Sequence, residues 1–91
     1  MRIYTVIITH KAQHALNRLH TPDIPRILAT IDTLKTNPRP PGSRKLAGIP
    51  ANEPSQWRVR VGDYRILYTI NDNTITITII RIAPRSRAYN D

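Results

Sequence analysis

Three segments in the C-terminal half alternate apolar and polar residues, and this pattern constrains the fold more than any other feature. They are Gln56 to Val61, Tyr64 to Ile70 and Thr74 to Ile82. Each follows the two-residue period of a β-strand, and the turn Asn71-Asp72-Asn73 separates the last two. Because the apolar residues share one face of each strand, the segments predict a sheet whose apolar face must be covered by another layer.

The N-terminal half supplies two predicted helices for that layer. Arg2 to Ile8 is rich in β-branched residues and predicts a first strand. Thr9 is the expected N-cap of the first helix and Asp23 of the second, with Pro25 in its first turn. The apolar stripes of the two helices are Ala12, Ala15, Leu16 and Leu19, and then Ile24, Ile27, Leu28, Ile31 and Leu34.

Residues Pro38 to Pro54 form a predicted loop, interrupted by a short extended piece at Arg44 to Leu46. The resulting order is β-α-α-β-β-β. With 91 residues, the chain is expected to form a single domain over 1–91.

The charge is strongly positive, with 14 Lys and Arg against 6 Asp and Glu and a net charge of +8. Only Lys11, Lys35 and Lys45 are lysines, and the guanidinium groups of the remaining arginines suit bidentate binding of phosphate. An anionic partner is therefore expected: nucleic acid, an acidic protein or a membrane surface.

The sequence also excludes several classes of site and indicates the cellular location of the protein. Without Cys there is no disulfide, zinc-thiolate or thiol chemistry. The first residues have too short an apolar run for a signal peptide, and no segment approaches the ~20 apolar residues of a membrane span. We expect a cytoplasmic protein.

The alternation assigns three arginines to one face of the sheet. Trp57, Val59 and Val61 point toward the predicted helices, as do Tyr64, Ile66, Tyr68 and Ile70 in the next strand. Arg58, Arg60 and Arg65 then lie on the opposite face of adjacent strands. Clustered like charges repel, so we interpret this face as the binding site of an anionic ligand.

The same segments resemble the RelE/ParE superfamily of toxins. Residues Trp57 to Tyr68, with the sequence Trp-Arg-Val-Arg-Val-Gly-Asp-Tyr-Arg-Ile-Leu-Tyr, are similar to the central hairpin of that family. Lys45 to Gly48 resembles its Lys-Leu-x-Gly segment, and Ile82 to Tyr89 resembles its closing pattern. The resemblance covers essentially the whole chain and implies an α+β, RelE-like fold, in which a small twisted sheet packs on an N-terminal helical hairpin.

The resemblance implies the toxin of a type II toxin–antitoxin system that cleaves messenger RNA in the ribosomal A site. A ribose 2′-OH would attack the adjacent phosphate, with no metal and no cofactor, and a cognate antitoxin would be the protein partner. By matching positions, it assigns the catalytic site to Arg58, Arg60, Arg65, Arg85 and Tyr89. Further RNA contacts are expected from Arg44, Lys45, Arg81 and Arg87.

Three departures leave two alternatives open. Arg58 and Arg60 stand where one or both residues are Lys in ribonuclease relatives, and arginine is a poor base. Pro84 replaces a His that many relatives carry, and the sequence ends two residues after Tyr89. The alternatives are a ParE-like inhibitor of DNA gyrase and a non-catalytic relative that binds ribosomes or RNA.

The remaining candidate residues are given structural interpretations. His10 and His14 have metal-ligand spacing, but without a visible third ligand we interpret them as solvent-facing. Trp57 and Tyr68 are expected in the core. Glu53 is a weak catalytic candidate in the loop before Trp57, and Tyr4 is not assigned.

Overall fold

The computed structural model describes residues 2–84, and these residues form two helices and one five-stranded sheet. The elements are β1 (Thr5–Ile8), α1 (His10–Asn17), α2 (Ile24–Leu34), β2 (Arg44–Lys45), β3 (Gln56–Val61), β4 (Tyr64–Asn71) and β5 (Thr76–Pro84). The predicted α+β class and the order of elements are confirmed, with the short extended piece present as β2.

The strands lie in the order β1-β5-β4-β3-β2. Strands β2 to β5 pair antiparallel with their neighbours, whereas β1 pairs parallel with β5. The two helices carry the chain from β1 at one edge of the sheet to β2 at the other edge, and the first and last strands become neighbours when β5 returns beside β1.

Both helices cover the apolar face of the sheet, and one core joins the two layers. Helices contribute buried residues at helical spacing: Ala12, Leu16, Ile27, Ile31 and Leu34. Strands contribute residues at two-residue spacing: Val59, Val61, Ile66, Tyr68, Ile70, Ile77, Ile79 and Ile82. Tyr68 is fully buried and Trp57 packs half-buried against the core, in agreement with their predicted structural roles.

The helix caps differ from each other. The Thr9 hydroxyl accepts a hydrogen bond from the amide of Ala12 at 3.2 Å, as predicted for an N-cap. Asp23 occupies the N-cap position of α2 but its side chain makes no capping bond, because its backbone is already helical (φ −76°). Its carboxylate instead accepts from Arg26 at 3.3 Å, so the predicted cap by Asp23 is wrong.

Leu28 also departs from the predicted apolar stripe, since it is 47% exposed. It lies at the edge of the stripe formed by Ile24, Ile27, Ile31 and Leu34, beyond the reach of the sheet. A helix with a 3.6-residue period can bury only one such stripe against a flat layer.

Two strands are displaced from their predicted bounds for local reasons. Strand β1 begins at Thr5 rather than Arg2, because the Tyr4 amide donates to the carbonyl of Lys35 after α2, at 2.8 Å. Strand β5 begins at Thr76 rather than Thr74, because the Asn71 side chain accepts from the amides of Asn73 and Thr74 and extends the turn.

A β-bulge in β5 decides which residues of that strand face the helices. Tyr68 pairs with Ile79 and Leu67 pairs with Arg81, so Ile80 is an extra residue opposite β4. Ile77, Ile79 and Ile82 all point into the core although their spacing is two and then three residues. The bulge therefore places Arg81 on the face away from the helices.

Candidate nucleic-acid interface

Basic side chains from four strands share the face of the sheet that points away from the helices. Cross-strand partners in register share a face, and Arg44 pairs with Arg58, Arg60 with Arg65, and Leu67 with both Arg58 and Arg81. We name this set the arginine face: Arg44, Arg58, Arg60, Arg65 and Arg81. The predicted clustering of Arg58, Arg60 and Arg65 on one face agrees with this register.

The arginines differ sharply in exposure. Arg44 and Arg60 are exposed and Arg81 is half-buried, whereas Arg58 and Arg65 are only 8% and 7% exposed. The alternation in the sequence predicts the face on which these side chains lie, but not that two of them are buried there. A guanidinium shielded from water attracts an anion more strongly than an exposed one, because less solvent screens the charge.

The backbone of the loop before β2 orients Arg58. Its Nη1 atom donates to the carbonyl oxygen of Gly42 at 3.3 Å. A carbonyl fixes the direction of the guanidinium without neutralising its charge. Gly42 has φ +90°, a conformation that favours glycine, so the Pro-Pro-Gly turn is shaped for this contact.

An open depression of about 290 Å³ lies beside this contact and is lined by Pro41, Gly42, Arg44, Arg58 and Arg60. Three guanidinium groups around a polar depression form a suitable site for a phosphate group, which accepts paired hydrogen bonds from arginine. Such a site stabilises negative charge but does not transfer protons, since arginine stays protonated at physiological pH.

The loop that carries Gly42 is held by a group of contacts around Asp72. The Asp72 carboxylate accepts from Arg39 Nη2 at 2.9 Å and from the Tyr4 hydroxyl at 2.6 Å. These hydrogen bonds, the one from Arg39 first, lower the pKa of Asp72 below its usual value. Arg39 also lies over the Trp57 ring, 5.2 Å from its centre, which adds a cation–π contact.

Tyr68 holds the same loop from inside the core. Its hydroxyl donates to the carbonyl of Pro38 at 2.7 Å. Burial raises the pKa of Tyr68 to about 12, although a hydrogen bond with Ser43 and the charge of Arg39 act in the opposite direction. The hydroxyl therefore stays protonated and able to donate over the physiological range.

Other predicted site residues lie elsewhere. Lys45 pairs with Trp57, so the register assigns it to the helix side of the sheet, unlike its neighbour Arg44. Glu53 is exposed in the loop before β3 and no described contact joins it to the arginine face. Arg85, Arg87 and Tyr89 lie outside the described residues, and Pro84 is the last residue of β5.

The two remaining features are the histidine pair on α1 and the apolar length of the helices. His10 and His14 are exposed on α1, and within residues 2–84 no three His, Cys, Asp or Glu side chains gather in a way that could hold a metal ion. Neither α1 nor α2 is long and apolar enough to cross a membrane.

Sequence reasoning missed the residues that support the arginine face. The Pro-Pro-Gly sequence before β2 indicates a turn at Gly42. The repeated Ile79-Ile80 breaks the Thr-Ile alternation and indicates the bulge. No feature of the sequence indicates the contact between Asp72 and Arg39, because they meet only when the β4–β5 turn and the loop after α2 come together.

Comparisons with known proteins agree with this architecture. A family model described as the ParE toxin of type II toxin-antitoxin system, parDE, matches residues 6–89. The archaeal RelE–RelB complex from Pyrococcus horikoshii OT3 contains a chain that is 32% identical, with a TM-score of 0.79. The match covers 94% of this chain and 99% of that chain. A search of curated proteins gives no significant match.

Two further solved structures are similar. The RelBE2 toxin–antitoxin complex from Mycobacterium tuberculosis has a chain 32% identical, with a TM-score of 0.67, covering 91% of this chain and 99% of that one. The isolated RelE toxin of E. coli has a TM-score of 0.75 at 17% identity, covering 94% and 88%, and supports the fold alone. The family match and the two relatives at 32% identity show that this chain belongs to the ParE toxin family, within the RelE/ParE superfamily of type II toxin–antitoxin toxins.

Proposed function

We propose that this toxin is a ribosome-dependent endoribonuclease that cleaves messenger RNA in the A site. The observation that carries the proposal is the arginine face, where Arg44, Arg58, Arg60, Arg65 and Arg81 share one surface of the sheet. The structural similarity to RelE chains supports it.

The proposed reaction is attack of a ribose 2′-oxygen on the adjacent phosphorus. The 2′-OH loses its proton to solvent, the new O–P bond closes a 2′,3′-cyclic phosphate, the bond from phosphorus to the 5′-oxygen breaks, and the 5′-oxygen takes up a proton, so that no net proton is consumed. Negative charge grows on the phosphate oxygens in the transition state, and positioned guanidinium groups stabilise it. We assign that role to Arg58, which donates a hydrogen bond to the Gly42 carbonyl, and to the exposed Arg60.

The arginines act by binding and orientation rather than by proton transfer. Holding the 2′-oxygen, phosphorus and 5′-oxygen in line lowers the entropic part of the barrier. The ribosome would contribute to this positioning. The resemblance assigns Arg85 and Tyr89 to the same proposed site, and a terminal tyrosine could stack on a base.

A cleavage assay tests the proposal. Purified protein is incubated with programmed ribosomes and end-labelled message, in parallel with naked RNA. We expect cleavage at the A-site codon only when ribosomes are present, with a 2′,3′-cyclic phosphate on the upstream fragment. Intact message in the presence of folded, ribosome-bound protein would contradict the proposal.

Inhibition of DNA gyrase is the second candidate, and the ParE description of the matching family model favours it. In that case the arginine face would be dispensable or would contact another protein. A supercoiling assay with purified gyrase decides between the two. Accumulation of cleaved DNA would support gyrase inhibition, whereas normal supercoiling together with message cleavage would support the ribonuclease.

We also propose that an antitoxin binds this chain, because both relatives at 32% identity are in toxin–antitoxin complexes. A partner with an acidic segment would complement the net charge of +8. Co-expression with the neighbouring open reading frame should give a complex that purifies as one species. Recovery of the toxin as a free monomer would count against this partner.

A further inference from the structure

The face that carries the arginines has a second half with different chemistry. Next to the row of Arg58, Leu67 and Arg81, the register places Thr69 opposite Thr78, and beyond them Asn71 opposite Thr76. Thr69 lies four positions after Arg65 along β4, a distance of roughly 13 Å in an extended strand. A few successive nucleotides of one RNA strand could therefore contact both halves.

This second half is concave. A depression of about 450 Å³ is lined by Thr69, Asn71, Thr76 and Thr78, with Asp72 among the lining residues at the turn. We name it the threonine depression. Its volume lies in the range of small-molecule sites, roughly 300–1,000 Å³.

The hydroxyls at the centre of the depression retain their hydrogen-bonding capacity. Thr30 and Thr33 on α2 donate to backbone carbonyls one turn back, at 2.8 and 3.0 Å. In contrast, the hydroxyls of Thr69 and Thr78 form no hydrogen bond with another protein group within residues 2–84. Both side chains are half-buried, and facing cross-strand residues lie about 5 Å apart.

The charges around the depression disfavour a phosphate as its ligand. Among the described residues, those that line it include no Lys or Arg, and the carboxylate of Asp72, which is paired with Arg39, offers no donor to a phosphate. Neutral hydroxyl and amide groups that both donate and accept match the edges of a base, which carry sequence information that phosphate lacks. Protein recognition of RNA sequence depends on such contacts to unpaired bases.

We propose that the threonine depression receives a base of the RNA strand whose phosphate is held by the arginine face, and that Thr69 and Thr78 determine which base is preferred. The inference rests on the proposed ribonuclease function and extends it to specificity. The arginine face supplies affinity and catalysis, and the threonine depression selects the sequence.

A titration followed by NMR tests the site without relying on cleavage. The ¹⁵N-labelled protein is titrated with a short single-stranded RNA, and with the same RNA carrying an abasic nucleotide in place of each base in turn. We expect amide signals of Arg58 and Arg60 to shift with every RNA. Signals of Thr69 and Thr78 should shift with the intact RNA and lose their shift for one abasic position.

Variants make the test quantitative. Valine preserves the shape and β-branching of threonine and removes only the hydroxyl. The double variant Thr69→Val/Thr78→Val should bind the intact RNA about threefold to tenfold more weakly, the effect of losing one or two hydrogen bonds. Its dependence on salt should be unchanged, because no phosphate contact is lost. Thr5→Val, on the same face of β1 but outside the depression, is the control and should bind as the parent does.

The outcomes separate this inference from the function beneath it. Shifts at the arginine residues without shifts at Thr69 and Thr78, or equal affinity of the double variant, would overturn the inference and leave the ribonuclease proposal intact. Shifts at Thr69 and Thr78 that persist with every abasic RNA would also overturn it, because the ligand would then be the backbone. The absence of all shifts would overturn the inference, and the cleavage assay with programmed ribosomes would then decide the ribonuclease proposal by itself.

Discussion

At the scale of single residues, burial divides the arginine face into two groups. The side chains of Arg58 and Arg65 are buried, and that of Arg60 is exposed. Replacing a buried arginine removes packing as well as charge, so its loss of function would not distinguish folding from chemistry. Arg44 and Arg60 are the exposed members, and Arg60 is the one assigned to the proposed catalytic set, so its substitution reports on function.

We predict that Arg60→Ala folds normally and loses toxicity. Removing one group that stabilises transition-state charge typically lowers the rate by about 10² or more. The measurement is colony formation after induced expression, with circular dichroism of the purified variant.

Arg26→Ala is the matched control for Arg60→Ala. Arg26 is an exposed arginine on α2 whose pair with Asp23 lies at the surface, and such pairs contribute little. It should remain as toxic as the parent. Full toxicity of Arg60→Ala would remove Arg60 from the proposed site.

We predict from the raised pKa of Tyr68 that the protein loses stability at alkaline pH. Its pKa in the fold is about 12 against 10.0 for a free tyrosine, so the unfolded chain ionises first as pH rises. The contribution of Tyr68 to the free energy of unfolding is complete below pH 10 and is lost as the pH rises toward 12. At pH 11 the loss is roughly 1 kcal/mol. Urea unfolding at pH 8 to 11 measures it.

Tyr68→Phe is the comparison for this effect. It should be less stable than the parent at pH 8, because the Pro38 carbonyl loses its donor. Its decline between pH 10 and 11 should be smaller than that of the parent. Parallel declines would mean that other groups cause the alkaline loss.

At the scale of elements, the bulge in β5 links the core to the arginine face. The inward positions Ile77, Ile79 and Ile82 are spaced two and three apart, and the extra residue Ile80 makes that spacing compatible with one face. The same irregularity aligns Arg81 with Leu67. Bulges commonly redirect a side chain in this way.

We predict that deletion of Ile80 is tolerated. After the deletion, Ile79 still pairs with Tyr68 and Arg81 with Leu67, so every remaining residue keeps its face. The variant should unfold cooperatively, with a free energy of unfolding within about 2 kcal/mol of the parent. Urea titration followed by circular dichroism measures this.

Deletion of Thr69 from the regular strand β4 is the contrasting variant. It would move either Tyr68 or Ile70 to the wrong face, since successive residues of a strand point in opposite directions. That variant should not fold. Unfolding of the Ile80 deletion to the same extent would show that the bulge itself is required.

At the scale of the whole molecule, Asp72 joins segments that are far apart in sequence. It accepts hydrogen bonds from Tyr4 before β1 and from Arg39 after α2, while Arg2 donates to its carbonyl oxygen at 3.4 Å. The loop fixed by Arg39 leads to Gly42 and thus to Arg58. The support of the arginine face therefore depends on contacts across the entire described chain.

We predict that Asp72 gives the protein an acid-sensitive component of stability. The pKa of Asp72 is lowered in the fold, so its contribution is present above the unfolded pKa of about 4 and is lost as pH falls through the folded value. Asp72→Asn should be less stable than the parent at pH 6 and should decline less below pH 4. Urea unfolding from pH 6 to pH 3 measures the difference.

Asp32→Asn is the control for Asp72→Asn. In the part of the chain that the structure describes, the ion pair of the Asp32 carboxylate is with the nearby Lys35, and both side chains are exposed. Its substitution should leave the acid decline of the parent unchanged. If Asp72→Asn also follows the parent curve, Asp72 does not couple the distant segments.

The sequence by itself determined the elements and the two faces of the hairpin strands. Periodicity identified both helices and the strands β3 to β5, because a side chain's direction depends on local spacing alone. For the same reason, it placed Arg58, Arg60 and Arg65 on one surface and Tyr68 in the core. The toxin family also followed from short-range motifs in the β3–β4 hairpin.

Only the tertiary structure decided the exposure, alignment and support of those side chains. The burial of Arg58 and Arg65, the pairing of β1 with β5 and the contact of Asp72 with Arg39 depend on strands and loops that are distant in sequence. The threonine depression likewise exists because register brings Thr69 opposite Thr78. Hydrophobic periodicity records which way a residue points, whereas the neighbours it meets are set by the pairing of the whole sheet.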